Sequence, residues 1–245
     1  MLTMTLQEAI TARRSRRKYT QAPIDPDVAQ TLQALAREYS EAANARIELV
    51  LHDGAAWNGL TRSYGLFSGV QNYAALIAKK GDLLAVERLG YYGEKLVLHA
   101  VALGLGTCWV GGSFDRKRCP VVLAPGEMIY CAVALGHAAE PLGTREKLMH
   151  SITHRRAKSA EDMTRADAPV PPWFLGGMQA VQLAPSAVNR QPVVFTWSGG
   201  KVTAYVQKET DVGSLFDLGI AKLHFKLGAG RGSWRFGNHA EFVYQ

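Results

Sequence analysis

Apolar residues recur at helical spacing in five segments of the chain, and this pattern predicts five helices. The first is short and begins after Thr5, with Glu8 three positions later completing a capping-box pattern. The other four cover residues 27–43, 82–103, 174–183 and 215–227. Between the helices lie five apolar runs that are typical of strands, at residues 46–52, 73–78, 128–135, 193–197 and 202–207. The two kinds of period together predict an α+β fold.

Two turns between these elements have compositions that suit a ligand site. Residues 108–112 (CWVGG) end in two glycines, which let the backbone approach a bound molecule closely. Residues 184–192 (APSAVNRQP) connect a helix to a strand, and their two prolines stiffen the connection. Ser186 and Asn189 therefore lie on a rigid polar ledge that could hold a flat ligand. An ordinary capped loop would explain the same nine residues equally well.

The elements appear twice in the same order, which indicates an internal duplication. Each half contains, in this order, a helix, a strand, a loop, a strand, a helix, a glycine-rich turn and a tryptophan. Trp109 and Trp234 each follow a histidine by ten positions, and we interpret both histidines, His99 and His224, as helix-packing residues. The charged segment between the halves is the natural connector. We therefore expect a first half at 1–150, a connector at 151–168 and a second half at 169–245.

The amino-acid composition limits the binding partners and the cellular compartment that we expect for this protein. The 245 residues are 47% hydrophobic and 20% charged, as expected of a globular chain, and the net charge of +7 favours anionic partners. Three cysteines in no CxxC pair argue for a reduced compartment and against a zinc site. The most apolar stretch, residues 96–106, is too short to span a bilayer, and the first residues contain no apolar run of signal-peptide length. We expect a cytoplasmic protein with no bound metal and no membrane partner.

The densest charge lies at residues 13–19 (RRSRRKY), where five cations occupy six positions. This run directly follows the first predicted helix, so a basic helix end exposed to solvent is one interpretation. The other is a phosphate cradle, because guanidinium groups supply paired donors and Ser15 adds a hydroxyl. The run alone does not decide between them.

Three motifs together resemble the FMN-dependent nitroreductase family. Residues 13–19 resemble its Arg-x-Ser-x-Arg/Lys-x-aromatic signature, residues 184–192 resemble its Pro-Ser-x-x-Asn-x-Gln-Pro motif, and residues 98–112 are similar to its helix and flavin-facing loop. The order departs from the usual pattern, because residues 42–46 (AANAR) lack the proline and serine and the intact motif occurs only in the second half. This arrangement resembles the subgroup called "putative TM nitroreductases", in which two halves are fused. The resemblance implies a nitroreductase-like fold with mixed or antiparallel sheets, and one chain that mimics a dimer with one flavin site between its halves.

The resemblance also implies roles for individual residues. Those at the FMN phosphate would be Arg13, Ser15 and Arg17, with Arg14 adjacent and Arg145 as a further cation. Ser186 and Asn189 would line the isoalloxazine ring, with Pro185 packed against it. Gly111 and Gly112 would place backbone amides near the reactive flavin nitrogen. No catalytic acid or base is implied, since the chemistry resides in the cofactor.

The expected activity is a ping-pong transfer of hydride from NADH or NADPH through FMN to a small-molecule acceptor such as a nitroaromatic or a quinone. A fused chain could act as a monomer, although a homo-oligomer would be compatible. One alternative is a protein that stores or senses FMN without turnover. Another places residues 13–19 on nucleic acid, but the chain shows no stacking aromatics near them and no helix-turn-helix or zinc pattern.

Overall fold

A computed structural model describes residues 3–58, 67–140 and 157–245. The chain divides into two compact units, which we describe separately. The first comprises Met1–Asp82 and Lys95–Ser151, and the second comprises Leu83–Glu94 and Ile152–Gln245. Helix α3 (Leu83–Ala102) contributes its first part to the second unit and its last part to the first unit.

The first unit is built on a four-stranded antiparallel sheet. Its strands, in spatial order, are β1 (Arg46–Val50), β2 (Asn72–Lys79), β4 (Glu127–Gly136) and β3 (Gly106–Val110). β2 lies in the middle and is buried at every position except Lys79, which explains its continuous apolar sequence. Helix α1 (Leu6–Ala12) precedes the sheet, and helix α2 (Pro26–Ala43) packs on β1. Asp25 caps α2 by accepting a hydrogen bond from the Asp27 amide at 2.9 Å.

The second unit combines a small mixed sheet with two glycine-rich helices. The sheet has the order β5 (Thr164–Ala166), β6 (Val194–Ser198), β7 (Lys201–Tyr205), β9 (Glu241–Val243) and β8 (Ser233–Trp234), with β5 parallel to β6. Helix α4 (Pro172–Gln182) packs against helix α5 (Val212–Ala229). A Cβ at Gly177 would lie 2.7 Å from the Phe225 ring, so the close approach of these two helices requires a glycine.

Buried charge marks the contact between α5 and the first part of α3. Lys222 is fully buried, and its Nζ lies 2.6 Å from Glu87 Oε1. The same ammonium donates to the carbonyl oxygen of Gly237 at 2.9 Å. Nearby, His224 places one ring nitrogen 3.0 Å from Glu94 Oε1. Such pairs restrict the relative position of the two helices, because a charge left unpaired in the interior would raise the free energy of the folded state.

The predicted helices all form in the described part of the chain, and the α+β class is confirmed. One local prediction was wrong: a turn was expected at residues 108–112, but residues 108–110 are the last part of strand β3. The short strands β5, β8 and β9 were not predicted. β3 exists because β4 supplies a full antiparallel ladder to it, a long-range contact that local composition does not reveal. None of the helices within residues 3–58, 67–140 and 157–245 has the length and hydropathy that crossing a bilayer requires.

Candidate functional site

Residues 13–19 do not continue helix α1 but form an extended segment beside strand β3. The capping box at Thr5 and Glu8 is present, as predicted, and the helix ends at Ala12. Ser15 then pairs with Thr107 of β3 in a parallel bridge, and the Arg16 amide donates to the Thr107 carbonyl oxygen at 2.8 Å. The interpretation of these residues as a basic helix end is therefore wrong. An extended backbone spaces the cations farther apart and sends successive side chains to opposite faces.

The far end of the segment is held by backbone hydrogen bonds and by a buried tyrosine. The Ser68 amide donates to the Arg17 carbonyl oxygen at 3.0 Å, and the Tyr19 amide donates to the Ser68 carbonyl oxygen at 2.9 Å. The Tyr19 hydroxyl donates to the Arg16 carbonyl oxygen at 2.8 Å from a buried position. These contacts fix the backbone between the cationic side chains, so their spacing is set before any ligand arrives.

The alternation of an extended segment separates its side chains into two sets. This alternation predicts that Arg13, Ser15 and Arg17 lie on one face, and all three are half-buried. Arg14 donates to the carbonyl oxygen of Thr11 at 2.7 Å, at the end of α1. Arg16 is buried, and its guanidinium donates to Glu140 Oε1 at 2.5 Å.

Gly106 allows the segment to lie against β3. A Cβ at this position would be 2.8 Å from the Cβ of Ala138 and 3.0 Å from the Cγ of Arg16, both closer than normal van der Waals contact. Because Arg16 is held at both its backbone and its guanidinium, it has little room to yield. Sequence reasoning did not assign this role to Gly106.

The glycine turn after β3 is exposed and braced by one arginine. A Cβ at Gly111 or Gly112 would meet nothing within 4 Å in the described part of the chain, so no neighbour there requires a glycine. Arg116 fixes the turn: its Nε donates to the Ile129 carbonyl oxygen at 2.8 Å, and its Nη2 donates to the carbonyl oxygens of Tyr130 and Gly111. Two exposed glycine amides thus lie on a loop with a fixed carbonyl.

The loop at residues 184–192 has an unusual backbone. Ser186 Oγ accepts a hydrogen bond from the Gln191 amide at 3.0 Å and closes a short turn. Within it, Val188, Asn189 and Gln191 adopt positive φ angles of 47°, 55° and 43°. A β-branched residue in this region is strained, and Val188 is also 72% exposed. Surrounding contacts must therefore maintain the shape that presents Ser186 and Asn189.

Contacts from other parts of the second unit supply that support. The Gln191 side chain is buried, donates to the Gln182 carbonyl oxygen at 3.3 Å and accepts from the Lys158 amide at 2.7 Å. Asp217 of α5 accepts from the Ala187 amide at 3.0 Å. Gln191 lies inside the motif and could have been recognised from it. Asp217 could have been suspected as an acidic residue within an apolar helix.

Two side chains that could carry chemistry, His224 and Cys131, are buried in the fold. His224 is fully buried with both ring nitrogens engaged, which agrees with its interpretation as a packing residue. Burial raises the pKa of the Cys131 thiol to about 12, which keeps it protonated. Among the described residues, no group of three His, Cys, Asp or Glu side chains could hold a metal ion. Arg145 lies outside the described residues.

One family model matches most of the chain, and the fold is similar to that of solved structures. A family model described as "Putative TM nitroreductase" matches residues 5–229. A putative nitroreductase from Thermotoga maritima has 20% identity and a TM-score of 0.62, over 100% of this chain and 94% of that chain. A nitroreductase family protein from Clostridium difficile has 15% identity and a TM-score of 0.48, over 65% of this chain and 96% of that chain. A putative nitroreductase in complex with FMN from Desulfovibrio desulfuricans has 19% identity and a TM-score of 0.44, over 58% of this chain and 90% of that chain. No curated protein matches the chain.

Proposed function

The chain belongs to the "Putative TM nitroreductase" family and has a nitroreductase-like fold, and from that premise we propose that it is an FMN-dependent NAD(P)H oxidoreductase. FMN, when bound, supplies the hydride-accepting and hydride-donating chemistry. The proposed cycle is ping-pong, with NADH or NADPH as donor and a nitroaromatic, a quinone or a similar small molecule as acceptor. Within it, the chain's task is to bind and orient the flavin.

This proposal rests on the extended segment at residues 13–19, whose alternation puts Arg13, Ser15 and Arg17 on one face. Two guanidinium groups and a hydroxyl form a donor set that suits a phosphate dianion, because charge-assisted hydrogen bonds are the stronger kind. Their backbone is fixed by β3 and Tyr19, so binding need not order it. We assign the FMN phosphate to this face, with Arg14 and Arg145 as further cations near it.

The flavin ring is assigned to the other two motifs. We propose that Ser186 and Asn189 line the isoalloxazine and that Pro185 packs against it. The amides of Gly111 and Gly112 would lie near the reactive nitrogen, where backbone donors stabilise negative charge on a reduced flavin. Arg116 supports this role by fixing the carbonyl oxygen of Gly111.

We further propose that the chain consists of two nitroreductase-like halves, at 1–150 and 169–245, with residues 151–168 as their connector. One chain carries both the phosphate motif and the Pro-Ser-x-x-Asn motif. A monomer would then be sufficient for FMN binding. Sedimentation of the FMN-loaded protein would test this directly.

The visible absorption spectrum of the purified protein tests the function. We expect the bands of oxidised flavin, either as purified or after addition of FMN, and their anaerobic bleaching by NADPH or NADH. Reoxidation by a quinone or a nitroaromatic should then be faster than with free FMN. Flavin bands that NAD(P)H bleaches no faster than it bleaches free FMN would instead support the alternative of a storage or sensing protein. A protein that takes up no FMN would refute both.

A further inference from the structure

The strained loop at residues 184–192 is held by a buried carboxylate that belongs to a distant part of the sequence. Asp217 lies on helix α5 and is only 4% exposed. Its Oδ1 accepts a hydrogen bond from the Ala187 amide at 3.0 Å, and its Oδ2 lies 3.3 Å from the same nitrogen. Ala187 directly follows Ser186 and precedes the left-handed Val188. The contact therefore acts at the point where the backbone enters its strained conformation.

The surroundings of Asp217 make its charge costly. Its neighbours along α5 are Phe216 and Leu218, both buried. Burial raises the pKa of Asp217 to about 7, and the negative charge of Asp211 adds to the increase. The Ala187 amide and the positive charge of Arg190 oppose it. Farther along the helix, the charges of Lys222 and Glu87 satisfy each other. A carboxylate retained in such a place needs a reason beyond stability.

We propose that Asp217 is a positioning residue that holds the loop carrying Ser186 and Asn189 in the shape that binds the flavin ring, and that this hold depends on the ionisation of its carboxyl group. This inference rests on the proposed function. The ionised carboxylate accepts a charge-assisted hydrogen bond from Ala187, whereas the protonated group accepts only a weaker neutral one. The loop should therefore be held more firmly above neutral pH than below it.

The first test compares FMN dissociation constants for the wild-type chain and Asp217→Asn between pH 5.5 and 8.5. The asparagine has nearly the same shape and still offers a neutral acceptor to Ala187. We expect the variant to bind FMN about tenfold more weakly than the wild type at pH 8.5 and within about twofold at pH 5.5. The ratio of the two constants cancels the titration of the FMN phosphate. Asp167→Asn, which removes an exposed carboxylate of the second unit that accepts a hydrogen bond from Ser198, is the matched control and should give a nearly flat ratio.

The second test needs no flavin. Amide hydrogen exchange at Ala187 through local opening of the loop, measured in the FMN-free protein, should show a protection factor that rises as pH increases above about 7. Asp217→Asn should lower that protection at high pH and leave the interior of α5 protected. If the variant fails to fold, the wild-type pH profile of Ala187 alone decides.

The outcomes separate the two claims. A flat affinity ratio for Asp217→Asn, or protection of Ala187 that does not change with pH in the wild type, overturns the role of Asp217. A wild-type chain that binds no FMN overturns the proposed function, and with it the positioning of a flavin. The exchange measurement would then still decide whether Asp217 fixes the loop.

Discussion

Replacing Gly106 with alanine should displace the basic segment from strand β3. The new Cβ would lie 2.8 Å from the Cβ of Ala138 and 3.0 Å from the Cγ of Arg16, whereas ordinary carbon contacts begin near about 3.5 Å. Arg16 cannot rotate away easily, because its guanidinium bonds to Glu140 and to the Ala139 carbonyl oxygen. The steric overlap can therefore be removed only if the segment itself moves.

The expected cost follows from these distances. Overpacking of this size destabilises a protein by about 1–3 kcal/mol. For a chain of this length, that corresponds to a fall in Tm of about 2–12 °C. Since Ser15 and Arg17 move with Arg16, at least one charge-assisted contact to the FMN phosphate should weaken as well. That loss corresponds to FMN binding about tenfold to a hundredfold weaker.

Thermal unfolding and an FMN titration of Gly106→Ala measure both effects. Gly111→Ala is the matched control for stability, because its Cβ would meet nothing within 4 Å in the described part of the chain. The control should keep the wild-type Tm or raise it slightly through the unfolded state. If Gly106→Ala unfolds at the wild-type temperature and binds FMN normally, the role assigned to the packing at Gly106 is refuted.

Two further predictions concern the buried charges of the second unit. Because burial raises the pKa of Asp217 from its ordinary 3.8 to about 7, the folded state holds this proton more tightly, and stability falls as pH rises through that window. Asp217→Asn should abolish this loss of stability. At pH 8 its free energy of unfolding in urea should exceed that of the wild type by at most about 4 kcal/mol. The same dependence of unfolding free energy on pH in both proteins would contradict this. Lys222→Met should lose about 3–5 kcal/mol, because the buried Glu87 carboxylate keeps its hydrogen bond from the Gly237 amide but loses its ammonium partner. Lys222→Met/Glu87→Gln should recover part of that loss, and additive losses would show that the pair is not coupled.

Periodic apolar patterns were sufficient to predict the longer helices, and the capping box was sufficient for the short helix α1, in which only Ala9 and Ile10 are buried. Helix α3 and the capping box of α1 formed as expected from local sequence alone. The same local rules failed for β3. The strand begins at Gly106 and is followed by Gly111, and it depends on pairing with β4, whose paired residues lie 22 to 30 positions later, and with Ser15 far earlier. Such partners are invisible to any short window.

The motifs were recognisable from sequence, and the family match confirms the resemblance that they suggested. The way in which the fold holds them was not predictable. The prolines of residues 184–192 indicated a rigid loop, but its shape also depends on Asp217, which is 30 residues from Ala187. The run of cations at residues 13–19 indicated anion binding, but the extended backbone decides which side chains share a face. Spacing in sequence cannot supply that information without the sheet that supports it.

The affinity for FMN relative to riboflavin, measured for the wild type and for Arg17→Ala, tests the central claim most directly. The two ligands share the ring and differ in the phosphate, so their ratio isolates the contribution of Arg13, Ser15 and Arg17. We expect the wild type to prefer FMN by about a hundredfold or more, and Arg17→Ala to lose at least about tenfold of that preference. Arg118→Ala, which removes a cation with a 60% exposed side chain, should keep it. Equal affinities of the wild type for FMN and riboflavin would contradict the assignment of the phosphate to the basic segment.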